Sequence, residues 1–500
     1  MTLADPPATG TDRRFFGHPL GLMTLFTTEL WERFSYYGMR AILLFYLTDT
    51  VQDGGLGLDQ TTGLALVSIY GTAVYLLSVL GGWAADRLVG ARRSTLYGGV
   101  VIAAGHVCLA IPGAGFSYVG IVLVAFGTGL LKPNVSAIVG ELYTREDPRR
   151  QSAFSIFYMG INLGSLFAPL LVGLARAWGG YHAGFAVAAV GMTFALVFFV
   201  AGRRMLGGAG DAVPNPIEPG ERPAVLRMLA VIAGGIAVVF AIAWLVSGGG
   251  ITSVIDTLSY LAFLAPIVYF VVMYRSPKVT DAERPRVVAY IPLFVAAMLF
   301  FMIFEQAATT LAAYARDRTD LSVLGITVNP EFFQSINPAA IILLTPVFAW
   351  LWLRTGNRPP TAYKFAIGLA LAAVSFLFLA GAAALAGDAK TPGWVLVAVY
   401  LIQTLGELCL SPVGLAATTL LAPRAFRSQA MALWFLAPAA GQAITAQLVQ
   451  ATEGASPTGY FGVIGLVTLG FAAALAAIGP WVTRHVRHAD ELEGVHTAGE

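Results

Sequence analysis

The chain has 500 residues, of which 57% are hydrophobic and only 12% charged, with a formal net charge of +2. Soluble domains carry about twice that charged fraction, so the composition describes an integral membrane protein. The near-neutral balance excludes nucleic acid as an obvious partner. Cys108 and Cys409 both lie in apolar segments; they read as small core residues, not as a disulfide or a metal site. The polar stretch Asp5 to Arg14 and the long apolar run after it give no sign of a short cleavable signal.

With about 20 apolar residues needed to cross a bilayer, fourteen spans are expected. The first six run over about 22–49, 61–85, 94–113, 117–142, 151–177 and 182–203. A polar stretch rich in glycine and proline follows, from Gly207 to Pro223. Two further runs, about 225–247 and 252–274, hold few polar groups, which suits a peripheral, lipid-facing position. The charged segment Arg275 to Arg286 leads into six more spans, about 287–316, 330–354, 362–386, 392–421, 427–452 and 457–483. The expected domains are a cytoplasmic tail at 1–21, a six-helix bundle at 22–204, a linker with two extra helices at 205–286, a second bundle at 287–487 and a tail at 488–500.

Loop charge sets the orientation. Arg13 and Arg14, Arg87 with Arg92 and Arg93, Arg145 with Arg149 and Arg150, Arg203 and Arg204, Arg354 and Arg358, Arg424 and Arg427, and Arg484 and Arg487 fall on one side. The other side holds mainly Arg176, Arg316, Arg318 and Lys390. The positive-inside rule then places both termini in the cytoplasm. A weak repeat relates the halves. Gly81 to Arg93 and Arg354-Thr-Gly356-Asn-Arg358-Pro-Pro are both short basic turns after the second span of a half. Repeated six-helix halves are a transporter architecture.

Several spans carry polar groups that lipid would not tolerate. In the first, Glu29, Glu32, Arg33, Tyr36, Tyr37 and Arg40 fall within an arc of roughly 140° on a helix; the opposite face is compatible with lipid. A central Asp, Lys or Arg costs about 2.5–3.5 kcal/mol on insertion scales, so the stripe needs a wet or protein-filled interior. Lys132 lies within span four beside Pro133 and Asn134; the other lysines, Lys278, Lys364 and Lys390, lie in or beside loops. Glu305 lies in the first span of the second half, and Glu407 lies in a span made easy to bend by Gly406, Pro412 and Gly414. Asn162, Gln334, Asn337 and Trp434 add neutral or aromatic polar sites. Glu29, Glu32, Glu305 and Glu407 outnumber Arg33, Arg40 and Lys132 by one, so one acid is left over. The set reads either as structural ion pairs or as a transport pathway. Buried pairs are poor stabilisers and intramembrane charges usually mark pathways, which favours the second. His106, alone in span three, reads as a satisfied packing residue, and Asp86 and Arg87 as shapers of a cytoplasmic turn.

The first-span pattern Glu29-x-x-Glu32-Arg33-Phe34-x-Tyr36-Tyr37-Gly38 resembles the signature of the proton-dependent oligopeptide transporter family of the major facilitator superfamily. Lys132-Pro133-Asn134, Gly160-Ile-Asn162-Leu-Gly164 and Gly406-Glu407-x-x-x-Ser411-Pro412 also resemble family motifs, and the likeness extends over nearly the whole chain. The two extra helices resemble those of bacterial members. Animal members carry a His after the Ile-Tyr of span two; here Ile69-Tyr70 is followed by Gly71.

The resemblance implies an all-α membrane protein with two six-helix bundles and two helices between them. It implies a symporter of di- and tripeptides in the inner (plasma) membrane. No enzyme chemistry and no cofactor other than the coupling proton are implied, and a monomer is the expected working form. The peptide carboxylate would meet Arg40 and Lys132, and its ammonium Glu407. Tyr36, Tyr37, Tyr75, Asn162, Asn337, Ser411 and Trp434 would line the remainder. With no imidazole after Tyr70, proton coupling would fall to Glu29, Glu32 and Glu305 beside Arg33, and Glu305 is expected to pair with Arg40 when the outer gate closes. The runner-up is a related transporter of nitrate or another small anion. A membrane-embedded enzyme is disfavoured because no His-Glu-x-x-His or P-loop motif occurs.

Overall fold

The structure, a computed structural model, describes residues 14–486 apart from Arg145, Glu146, Leu324 and Asn357. Most of the N-terminal tail, the whole tail at 488–500, and the expected cytoplasmic arginines Arg13, Arg145 and Arg487 lie outside the described residues. Eleven helices among the described residues are long and apolar enough to cross a membrane. One of them, Arg149–Leu206, contains two of the expected spans, interrupted by non-helical backbone at Gly180. With α1 (Leu20–Thr48) and α3 (Ala91–Ala110), every expected apolar run is helical, though not always as one helix.

The chain forms two compact units. The first comprises Met1–Leu58 and Ala73–Ala237, the second Asp59–Thr72 and Val238–Glu500. In the first unit, α1 packs chiefly on α5 (Arg149–Gly202), and α3 packs on α4 (Ala114–Glu141). α1 was expected to turn its apolar side to lipid. Instead Gly38 to Leu47 is buried on every side, because α5 runs along it. The polar linker is fastened down. Asn215 and Ile217 donate backbone hydrogen bonds to the carbonyls of Asp86 and Arg87, and Arg87 pairs with Glu221 at 2.6 Å. Asp86 and Arg87 thus shape the turn that follows α2 (Gln60–Ala84).

The second unit holds α7 (Gly250–Arg275), α8 (Arg284–Phe304), the short α9 (Thr310–Arg318), α10 (Ile336–Arg354), α11 (Thr361–Ala386), α12 (Gly393–Leu421), α13 (Arg427–Ala451) and α14 (Pro457–Ala477). α11 packs on α12 and α14, and α13 on α8 and α7. Two short strand pairs close one end: β1 (Thr319–Asp320) runs parallel to β4 (Thr391–Pro392), and β2 (Ser322–Val323) pairs antiparallel with β3 (Ile326–Thr327).

Two expectations need correction here. The first span of the second half is not one helix: α8 stops, Glu305–Ala308 forms a 3-10 turn, and α9 resumes after Thr309. The two extra helices also differ from each other. α6 (Arg222–Ser247) buries only Ala243 and fits the expected exposed position, whereas α7 buries Ser253, Asp256, Thr257 and Ser259 among others.

Candidate functional site

In the first unit the stripe of α1 is a packed ion cluster. Arg33 Nε lies 2.5 Å from Glu32 Oε2 and 3.2 Å from Glu29 Oε1, all three side chains being almost fully buried. The Glu29 pair is the one-turn spacing that brings side chains four apart together on a helix. Arg33 also lies 5.2 Å from the Tyr36 ring centre, and Tyr36 and Tyr37 meet edge to face at 5.2 Å. The cluster leaves capacity spare: among the described residues Arg33 Nη2, Glu29 Oε2 and Glu32 Oε1 have no hydrogen-bond partner. α5 approaches closely at this level because residue 164 is glycine; a Cβ there would come 2.3 Å from the Leu30 carbonyl.

Lys132 projects from α4 onto the Tyr75 ring of α2, its Nζ 4.1 Å from the ring centre, and it lies within electrostatic reach of Glu29. Half-buried cations on aromatic faces are stabilised by about 0.5–2 kcal/mol. Its neighbour Asn134 is structural, donating to the Gly81 and Leu130 carbonyls. Arg40 is buried on α1. Asn162 donates to the Tyr158 carbonyl of its own helix. The first unit therefore brings together Glu29, Glu32, Arg33, Tyr36, Tyr37, Tyr75 and Lys132.

In the second unit Glu407 of α12 is held by Asn337 of α10, whose Nδ2 donates to Glu407 Oε2 at 2.9 Å and to Thr404 Oγ1 at 3.0 Å. Glu305 is buried at the α8–α9 break, within electrostatic reach of Glu407. The Trp434 indole of α13 packs beside Gly414 and meets Phe301 edge to face at 6.1 Å. Ser411 Oγ is buried with no hydrogen-bond partner among the described residues.

Three residues carry more than their sequence context suggests. Gln306, next to Glu305, stitches the helix break: it donates to the Met302 carbonyl and accepts from Thr310 and, at 3.1 Å, from Tyr460. Lys364 was grouped with the loop lysines, yet it is buried in the first turn of α11 with Nζ 4.3 Å from the Trp352 ring centre. His106 is fully buried, but neither ring nitrogen has a hydrogen-bond partner among the described residues, so it packs without being satisfied. For Gln306 the available signal was an uncharged amide in the middle of a span.

A buried acid–base cluster, an aromatic-capped lysine and an asparagine-held glutamate, all on membrane-length helices, fit a carrier of charged solutes. The family model described as "POT family" matches residues 92–466. The chain belongs to the POT family. It is therefore a membrane-spanning transporter of the major-facilitator fold, not an enzyme. It is 48% identical over 478 residues to a Bacillus subtilis (strain 168) protein named "Uncharacterized transporter YclF", covering 95% of this chain and 96% of that one. It is 43% identical over 468 residues to a "Di-/tripeptide transporter" of Lactococcus lactis subsp. cremoris, covering 91% and 94%. A solved structure described as peptide transporter POT in complex with sulfate matches with a TM-score of 0.90 and 52% identity, covering 95% of this chain and 97% of that one.

Proposed function

We propose that this POT-family member is a proton-coupled symporter of di- and tripeptides, working as a monomer in the cell inner membrane with both termini cytoplasmic. The observation that carries the reading is the charge that each unit contributes. The cations Arg33, Arg40 and Lys132 belong to the first unit, while Glu407, held by neutral Asn337, belongs to the second. A zwitterionic peptide has one group for each. Arg40 and Lys132 take its carboxylate, and Glu407 takes its ammonium. An arginine fork and a lysine point charge bind carboxylates differently, so the two cations are not interchangeable. Tyr36, Tyr37, Tyr75, Asn162, Asn337, Ser411 and Trp434 supply the neutral surface for the peptide bond and varied side chains. The names of similar proteins, among them the lactococcal di-/tripeptide transporter, support the substrate class.

Proton coupling falls to Glu29, Glu32 and Glu305, with Arg33 controlling the first two. The driving force suffices. A proton entering down about 100 mV yields about 2.3 kcal/mol, and a tenfold proton gradient adds about 1.4 kcal/mol. One proton per neutral peptide then sustains a gradient of several hundred-fold.

The test is uptake of labelled dialanine into liposomes under an imposed pH gradient. The expected result is saturable accumulation above the external concentration, abolished by a protonophore and unaffected by excess nitrate. Uptake that never exceeds equilibrium, or nitrate accumulation in place of peptide, would contradict the proposal.

A further inference from the structure

Intramembrane carboxylates are costly and usually functional. Asp256 is one that the reading above does not use. It lies on α7, the second extra helix, and is 7% exposed. Its Oδ1 accepts from Gln447 Nε2 of α13 at 2.8 Å, and its Oδ2 accepts from Ser247 Oγ at the end of α6. Gln447 Nε2 also reaches Ser259 Oγ at 3.1 Å, so one amide of α13 bonds two successive turns of α7.

The residue before Asp256 does different work. Ile255 packs with Ala446 of α13 and with Ala65 and Ile69 of α2 in one fully buried cluster. The same face of α13 continues to hold α2 further along. Thr72 Oγ1 donates to the Ala439 carbonyl at 3.1 Å, and Gly71 leaves room for Gln442, whose Oε1 would lie 1.7 Å from a Cβ at position 71. These contacts all fall within the second unit, which takes in Asp59–Thr72; α2 passes into the first unit at Ala73.

We propose that Asp256 is a positioning residue that clasps α7 to α13, and that the two helices together form the bed on which the first half of α2 docks. α7 is thereby part of the moving machinery, although the apolar composition of the two extra helices points to a lipid-facing role. A helix divided between two units has to release this bed or bend beside Gly71 in any alternate packing of the chain. The clasp sets how firmly the first half is held. The carboxylate acts by accepting two neutral hydrogen bonds, so asparagine can replace it: its Oδ1 accepts from Gln447 and its Nδ2 donates to Ser247. The docking claim stands on these contacts alone; only its part in turnover rests on the transport reading.

Cross-linking tests it without substrate. In full-length protein with Cys108→Ser and Cys409→Ser, Ala65→Cys and Ala446→Cys report docking of α2 through a short bis-methanethiosulfonate reagent. A second pair, Ala380→Cys with Gly462→Cys, reports packing elsewhere in the same unit, where a Cβ at 462 would lie 3.7 Å from that of Ala380. Interhelical hydrogen bonds in membranes are typically worth about 0.6 kcal/mol and at most about 1.7, roughly a 3- to 15-fold change. Asp256→Ala should lower the 65–446 cross-linking rate by that factor and leave the 380–462 pair unchanged. Gln447→Leu should match it, the double variant should lose no more than either single one, and Asp256→Asn should stay near the parent. Unchanged 65–446 cross-linking in Asp256→Ala, additive losses, or failure of Asp256→Asn would each overturn the clasp. A parallel loss at the 380–462 pair would also overturn it, because the role would then be in general folding.

Discussion

The two units solve the problem of buried charge in opposite ways. In the first unit, acids and bases neutralise one another at close range: Arg33 bridges Glu29 and Glu32, and Lys132 rests on Tyr75. In the second unit Glu407 is held by the neutral amide of Asn337, and Glu305 sits where the helix itself is interrupted. A closed ion cluster is costly to disturb, since removing one member leaves an uncompensated buried charge worth about 3–5 kcal/mol. A carboxylate held by an amide keeps its charge available to a ligand or a proton. The comparison sets acids paired with an arginine in the first unit beside an acid held by a neutral amide in the second.

The strongest way to break the comparison is to open the cluster. Lys132→Ala should abolish concentrative peptide uptake in liposomes, because on the proposed reading this ammonium binds the peptide carboxylate. Accumulation at the parent level would show that the first unit's electrostatics are not needed. Next in size, Glu407→Gln should weaken binding of peptides with a free amino terminus by about tenfold to a hundredfold, the worth of a hydrogen bond to a charged group. N-acetylated peptides should be nearly unaffected, and equal losses for both ligand types would remove Glu407 from ammonium recognition. Asn337→Leu should act in the same direction with a smaller effect.

Gly71 offers a sharper steric test. Gly71→His should reduce transport by driving the new side chain into Gln442, and Gln442→Ala should recover part of the loss. A fully active Gly71→His would show that α2 is not held closely there. The smallest expected effect lies outside the membrane. His18 precedes α1, its Nδ1 2.9 Å from Tyr143 Oη and its Nε2 3.3 Å from Ser152 Oγ. Burial, reinforced by Arg149, holds its pKa below the usual 6.5. The folded segment thus binds a proton less readily than the released one. Docking of the segment is at full strength above about pH 6.5 and weakens as pH falls from there through the lower folded value. Amide exchange at Phe15 and His18, whose N–H groups bond each other's carbonyls, should quicken over that range in the parent and lose its pH dependence in His18→Gln.

Much of this was legible in the sequence because hydropathy and membrane thickness constrain helices tightly. Every apolar run is helical, and the four-residue spacing of Glu29 and Arg33 brings that pair together through helical periodicity. The break at Glu305 was not legible, since no glycine or proline marks it. It is fastened by a local bond from Thr310 to Gln306 and by a tertiary one from Tyr460, far along the chain. The buried face of α7 was legible in principle, as Ser253, Asp256 and Thr257 share a helical stripe. Average hydropathy hid it, because three polar residues barely change the mean of an apolar helix. The polar linker gave no sign of docking, since its bonds to the turn after α2 are largely backbone ones.

The proposed coupling role of the second unit's acids is tested most directly at Glu305. Glu305→Gln mimics the protonated acid and should be reconstituted beside the parent in the same liposomes. Exchange of internal for external dialanine, with no gradient imposed, is predicted to persist, while accumulation driven by a pH difference is predicted to vanish. Accumulation of dialanine against its gradient by Glu305→Gln under a pH difference alone would contradict the account.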